Sequence, residues 1–323
     1  MGIANPPVGI LLDNQSPVNG GMRTGNLILN GDMELIEYVS TLWQPSLFTL
    51  GAEAGTTAVW ESNGTTPYAG LYDLRCKFTD LTINKTAYFY QDIPLNPGGQ
   101  YDQLSLWHRL KFTHKEDAGL AAIAALRATF TLILSSGSTV TLLTWDKDCY
   151  SADWQTLTKE FRPSLLTTRA NIDAAVTLRV TLAVVPASTT TPGAPLYAYF
   201  DDVTLEAEAA FSRNFAVGSN FDWERDTAFE RGNDQGRTMY QSSAGMGTAK
   251  RAGNIVFNFI TEAQMIAMHG LWLYGARSYV RWYPVMATYP SYVDMILAAK
   301  WPFKIANADA DLGYSGTLSW AER

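Results

Sequence analysis

Between Asn26 and about Ala209 the apolar runs are short, and clusters of glycine, proline, asparagine and aspartate divide them. A chain punctuated this often has no room for long helices, and alternation inside the runs points each one at a sheet with one buried face. The runs fall at 26–29, 71–78, 87–93, 103–112, 128–134, 139–143, 155–161, 177–185 and 196–205. Such a series of short strands predicts a β-sandwich or jelly roll. Residues 117–127, rich in alanine and leucine, read either as a short helix or as the lead-in to a strand. Composition agrees with sheet: aromatics are 12% of the 323 residues and charged residues 17%, and Trp and Tyr suit pleated, half-buried surfaces. The expected class is mainly β, a jelly-roll β-sandwich followed by a small α+β domain with one short helix.

The flanks read differently. Residues 1–22, with Pro6, Pro7, Pro17, Gly20 and Gly21, lack periodicity and are expected to form an extended arm of the kind that docks on a neighbouring subunit. After Glu208 the composition shifts, and 211–253, rich in Gly, Asn, Ser and Arg, predicts loops or short strands. An alternating run at 254–260, a helix over 262–274 and strands near 278–283, 292–297 and 314–320 follow. Thr261 can cap the helix while Gln264 reaches back, and Gly275 is placed to take the left-handed conformation just past its end. The expected division is an arm at 1–22, a sandwich at 23–209 and a β-rich unit with one helix at 210–323.

Charge narrows the partners. Residues 1–210 carry 13 Lys and Arg against 21 Asp and Glu, a balance of −8, and residues 211–323 carry 11 against 10, a balance of +1, which together make the −7 of the chain. An acidic first part without a basic stripe argues against nucleic acid, whose phosphates need Lys and Arg. It suits a neutral glycan or a cation. No apolar window approaches ~18 residues, so no transmembrane helix is expected. The opening residues lack the basic segment of a secretory signal, which predicts synthesis in a cytoplasm. Cys76 and Cys149 can form one bridge or stay as two buried thiols. No GxSxG elbow, HExxH helix or phosphate-binding glycine loop occurs, and the chain is expected not to be an enzyme. His108 and His114, near Arg109, Lys111 and Lys115, read as a solvated face, and His269 as a core or interface residue of the helix.

Several segments occur in the order of a known family. Asn26-Leu27-Ile28-Leu29-Asn30-Gly31-Asp32-Met33-Glu34 comes first, with Met33 where the family prefers Phe. Tyr90-Gln91-Asp92-Ile93, Pro97-Gly98-Gly99-Gln100-Tyr101 with Leu104-Ser105-Leu106-Trp107, Asp153-Trp154-Gln155 and Tyr199-Phe200-Asp201-Asp202-Val203-Thr204-Leu205 follow. The first domain thereby resembles the β-sandwich carbohydrate-binding modules carried by secreted glycanases. The resemblance implies a structural calcium ion held by Asp32, Glu34, Asp201 and Asp202, the alternative being that these carboxylates accept backbone hydrogen bonds at the sandwich edge without metal. It also implies a glycan on aromatic faces, with Trp60, Tyr68, Tyr72, Tyr88, Tyr90 and Trp145 as candidates and Gln91 to bond hydroxyls. Alternating aromatics of this kind also build sandwich cores.

The C-terminal part resembles something else. Gln235-Gly236-Arg237-Thr238, the run from Lys250 to Phe257, the helix, Ala276-Arg277-Ser278-Tyr279-Val280-Arg281-Trp282-Tyr283-Pro284 and Gly313-Tyr314-Ser315-Gly316-Thr317-Leu318-Ser319-Trp320 are similar to small β-domains of tail proteins in long-tailed bacteriophages. This implies a structural component of a tailed-phage virion at the tail tip, baseplate or fibre attachment. Its partners would be other tail proteins, further copies of itself in an oligomer or ring, and a host surface glycan. The alternatives are a free glycan-binding module of a cellular polysaccharide system and a capsule depolymerase.

Overall fold

The computed structural model describes residues 21–65, 67–148, 152–210, 220–224, 229–231, 239–241, 250–276, 278–283, 293–307 and 313–322. The expected arm at 1–22 lies outside them but for its last two residues, as does Cys149, while Cys76 is a free, buried thiol. The chain divides into two units, residues 26–207 and residues 208 onward joined by the stretch that ends at Gly25.

The first unit is a β-sandwich. After β1 (Gly21–Thr24), which belongs to the second unit, come β2 (Ile36–Val39), β3 (Leu42–Pro45), β4 (Thr49–Ala52), β5 (Thr57–Asn63), β6 (Asp73–Asp80) and β7 (Ala87–Pro94). Then follow α1 (Gln100–Leu104), β8 (Trp107–Glu116), α2 (Ala118–Ala121), β9 (Ala124–Leu134), β10 (Thr139–Asp148), β11 (Gln155–Phe161), α3 (Arg169–Ala174), β12 (Ala175–Pro186) and β13 (Leu196–Ala210). One sheet runs β5-β6-β13-β8-β11, the other β4-β7-β12-β9-β10, and β2 with β3 makes a separate hairpin. The segment 117–127 turns out to be both things it suggested, a turn of helix and then a strand.

Period-two alternation decides which side chains fill the core. Phe89, Phe130 and Leu182 point inward from one sheet and Leu74, Phe112 and Phe200 from the other, each at most 2% exposed. Rings meet across the gap, Phe130 on Phe161 with centres 3.9 Å apart and Phe89 on Phe200 at 5.1 Å. The same alternation overturns the solvated reading of the histidines. Lys111 and Lys115 stand on the outer side of β8, so His108 and His114 fall inside, 0% and 3% exposed. Burial lowers the His108 pKa to about 4, partly offset by its hydrogen bond with the Leu106 carbonyl. His114 Nδ1 is 2.5 Å from the buried Glu116 carboxylate.

The opening motif closes the sandwich onto its last strand. The Asn26 amide donates to the Val203 carbonyl, and its oxygen accepts from the Ile28 and Leu205 amides. Only glycine fits at position 31, because a Cβ there would lie 1.9 Å from the Val203 oxygen. Asn30, at φ +54°, ties the chain down through Leu35 and Ser46.

The second unit contains β14 (Asn220–Glu224), β15 (Phe229–Arg231), β16 (Met239–Gln241), β17 (Lys250–Ile260), α4 (Glu262–Gly275), β18 (Val280–Tyr283), β19 (Val293–Leu297), β20 (Lys304–Asn307) and β21 (Gly313–Glu322). Its sheet is ordered β1-β18-β19-β21-β17-β14, with β20 on β21 and α4 packed on β1, β18, β19 and β21. Thr261 and Gln264 form the expected capping box, each side chain bonding the other's backbone amide. Gly275 is the last helical residue rather than a left-handed cap, and the reason is space: a Cβ there would sit 3.2 Å from Val280 Cγ2. His269 is half-buried, its ring 4.7 Å from Trp301 and stacked on Trp272. Arg23 faces Glu208 across β1 and β13 in a buried ion pair, and next to it Arg281 pairs with Asp294.

Candidate functional site

The outer face of the sheet β4-β7-β12-β9-β10 brings Tyr88 and Tyr90 together. Both are half-buried and alternate along β7 with inward Phe89 and Gln91; their rings stack with centres 6.3 Å apart. The Arg179 guanidinium lies 3.8 Å from the centre of the Tyr90 ring and bonds both Asp92 oxygens at 2.7 and 2.8 Å. The Asp92 bonds push the Arg179 pKa further up, so the guanidinium stays charged. Hydroxyls continue the row: register places Thr181 beside Tyr90, Thr129 beside Thr181 and Thr144 beside Thr129. At the far side Arg127 bonds both Asp146 oxygens and holds that carboxyl below its ordinary range. These four charges cancel in pairs. What remains is a neutral platform of phenol rings and hydroxyls across four strands.

The other candidates lie elsewhere. Trp60, 3% exposed, is a core residue whose indole N–H donates to the Gly51 carbonyl, so it cannot stack on a sugar. Gln91, 6% exposed, points inward, accepting from the Leu29 amide and donating to the Leu29 and Leu47 carbonyls, so its hydrogen-bonding capacity is spent on the fold. Trp145 is half-buried on the inner side of β10, its ring 6.4 Å from Phe112. Tyr72 gives its backbone N–H to Glu34. Tyr68, 48% exposed, rests on Trp154 beside Tyr199 at the outer face of the opposite sheet, where Lys115 lies 4.7 Å from both the Trp154 and Tyr199 ring centres. Sequence reasoning missed Arg179, Asp92 and the threonines; the Tyr88-x-Tyr90-x-Asp92 alternation was the available signal for Asp92.

Among the described residues, Asp32, Glu34, Asp201 and Asp202 do not come together as a group of three that could hold a metal ion. Asp32 is exposed. Glu34 accepts from the Leu71 and Tyr72 amides, and Asp201 from the Ala69 and Asp202 amides. Asp202, at φ +48°, swings away from its neighbour to meet Lys111 Nζ at 2.8 Å. Among the described residues no three of His, Cys, Asp and Glu converge. Backbone N–H groups thus supply part of the compensation that buried Asp201 needs, and Glu34 and Asp201 together pin the loop 69–72. A structural calcium ion on these carboxylates requires the thermal midpoint to fall when a chelator is added, whereas compensation by backbone N–H groups alone leaves it unchanged, and calorimetry with and without added calcium decides between them.

No protein-family model and no curated protein matches the sequence. Among solved structures, the chain is similar to a carbohydrate-binding module of the β-sandwich superfamily, with 17% identity, a TM-score of 0.35 and coverage of 49% of this chain and 56% of that one. It is similar to the CBM22-1 xylan-binding domain from Paenibacillus barcinonensis at 12% identity and TM-score 0.33, over 61% of this chain and 97% of that domain. A third is the enzymatically active domain of tailspike protein 4 from bacteriophage CBA120, at 13% identity and TM-score 0.37, over 58% of this chain and 21% of that one.

Proposed function

We propose that the protein is a non-enzymatic glycan binder that uses the Tyr88–Tyr90 face, as a structural component of a tailed-phage virion. The observation that carries the glycan part is the neutral platform itself. Phenol rings offer apolar faces, while the Arg179–Asp92 pair and the threonine row offer donors and acceptors at the spacing of neighbouring strands. A saccharide needs both, and an anionic polymer would gain nothing from charges already cancelled in pairs. Against catalysis stands the placement of the two carboxyls whose pKa values are raised to about 6: Asp73 and Asp201 are 0% and 1% exposed, out of reach of a glycosidic oxygen. The virion part rests on the phage-tail resemblance of the second unit's sequence, with tail proteins and further copies of the chain as partners and the virion, assembled in the host cytoplasm, as location. The alternative, a free glycan-binding module, uses the same face.

The test separates the two parts. The full-length protein, screened against neutral oligosaccharides, is expected to bind, and Tyr90→Ala to weaken binding about tenfold, roughly 1.4 kcal/mol. Absence of binding, or affinity unchanged in the Tyr88→Ala, Tyr90→Ala double variant, would sink the glycan reading. Mass spectrometry of purified particles decides the virion part, which fails if the protein is missing from them.

A further inference from the structure

A concave feature separate from the tyrosine face lies at the open edges of both sheets. The β2–β3 hairpin arches over β4 and β5 and leaves a cleft of about 460 Å³, a size that suits a small ligand. Glu37 and Gln44 are register partners on the hairpin and both line it, as do Thr49 of β4 and Val39, Val59 and Trp60. Gln44 Nε2 donates one N–H to the Trp60 carbonyl at 3.0 Å, which fixes the amide and leaves its oxygen and second N–H; with the Glu37 carboxylate opposite and a hydroxyl close by, these match the vicinal hydroxyls of a sugar, each of which donates and accepts. Val39 and Val59 supply apolar walls. Among the described residues no Lys, Arg or His lines the cleft, and Glu37 repels an anion, so a phosphate or uronate is disfavoured.

The backbone marks the same segment independently. Seven non-glycine residues have positive φ among the described residues, and five of them, Asn30, Met33, Ser40, Thr41 and Leu47, fall in 30–47. Ser40 and Thr41, at φ +46° and +79°, make the hairpin turn, a place where Asn-Gly would be relaxed and a β-branched residue is strained. Strain of this kind persists where a particular shape is required. On the hairpin's outer side Tyr38 and Trp43, 62% and 53% exposed with ring centres 5.3 Å apart, extend an aromatic surface beyond the cleft.

We propose that the cleft under the β2–β3 hairpin is a second saccharide subsite, taking a neutral sugar ring whose hydroxyls are bonded by Glu37 and Gln44. The inference rests on the reading that the sandwich takes glycan, but uses different residues. The full-length, isotope-labelled protein is titrated with the methyl glycosides of xylose, glucose, galactose and N-acetylglucosamine, and nitrogen–proton resonances are followed. At least one sugar is expected to move the Gln44 side-chain amide and the Trp60 indole N–H in a saturable way, and Glu37→Ala, on the exposed hairpin, to weaken that response tenfold or more. If all four sugars leave both resonances in place, or Glu37→Ala changes nothing, the subsite is overturned. Shifts confined to Thr129 and Thr181 would sink the cleft and keep the tyrosine face, whereas shifts confined to the hairpin would do the reverse.

Discussion

Trp60→Ala is expected to cost about 3–5 kcal/mol of folding stability while leaving the affinity of the folded fraction at the Tyr88–Tyr90 face intact. The side chain is 3% exposed and packs edge-on against Phe89 at 5.4 Å and against Phe200 at 6.2 Å. Its indole N–H reaches from β5 to the Gly51 carbonyl on β4 at 3.0 Å, so one residue joins the edges of the two sheets. Removing it opens a cavity and strips that carbonyl of a partner, and the two losses compound because nothing small can fill an indole-sized space. Against a typical domain stability of about 5–15 kcal/mol this leaves a marginal sandwich. Trp60→Phe keeps most of the buried area and loses the hydrogen bond, for about 1–2 kcal/mol. Chemical denaturation measures both, and a native midpoint in Trp60→Ala would contradict the core assignment.

That residue also shows how far the sequence could be read. Strand positions follow from alternation, so the sandwich and the capped helix were legible, while Trp60 read as a glycan contact and is a core residue. The faces were harder, because Tyr88, Tyr90 and Gln91 stand close together and each looks like a sugar contact until the register is known. Once Phe89 is inside, Gln91 must be inside too, and Tyr88 and Tyr90 outside. The histidines of β8 misled for the complementary reason: basic neighbours suggested solvent, but in a strand the neighbour marks the opposite face. The paired aspartates looked like metal ligands because an inward carboxylate needs compensation, and sequence alone could not reveal that a loop 132 residues away, at Ala69, would supply an N–H to Asp201. Nor could it reveal Arg179 over Tyr90, a contact made only by the pairing of β7 with β12.

Stability is expected to rise as pH falls from 7 to 5, contrary to the usual behaviour of an acidic protein. Two carboxyls drive it. Desolvation raises both Asp73 and Asp201 from 3.8 to about 6. The Asn63 amide, Lys115 and Arg75 oppose the rise at Asp73, and the Ala69 and Asp202 amides oppose it at Asp201, while the charges of Asp73 and Asp202 add to it there. A folded-state pKa above the unfolded value means that the ionised group destabilises the fold above about pH 6, and that this penalty fades as the native state takes up the proton first. His108 acts the other way, since its pKa drops from 6.5 to about 4 and the unfolded chain gains its proton as pH falls. Two protons therefore favour the native state and one the unfolded state; His108 nearly cancels the carboxyls between pH 7 and 6, and the net slope reaches about 1 kcal/mol per pH unit near pH 5. Asp146, held low by Arg127, adds a constant stabilisation across this window and loses it only as pH falls below about 4. Asp73→Asn removes one of the two carboxyls and keeps an acceptor for Asn63, whose amide nitrogen lies 2.9 and 3.1 Å from the two Asp73 oxygens. It is expected to raise stability at pH 7 by about 2 kcal/mol and to flatten the profile, because one proton now balances one. Denaturation at half-unit pH steps decides the matter. A parent protein that weakens between pH 7 and 5, or an Asp73→Asn variant as pH-sensitive as the parent, would show that these carboxyls are not strained by burial.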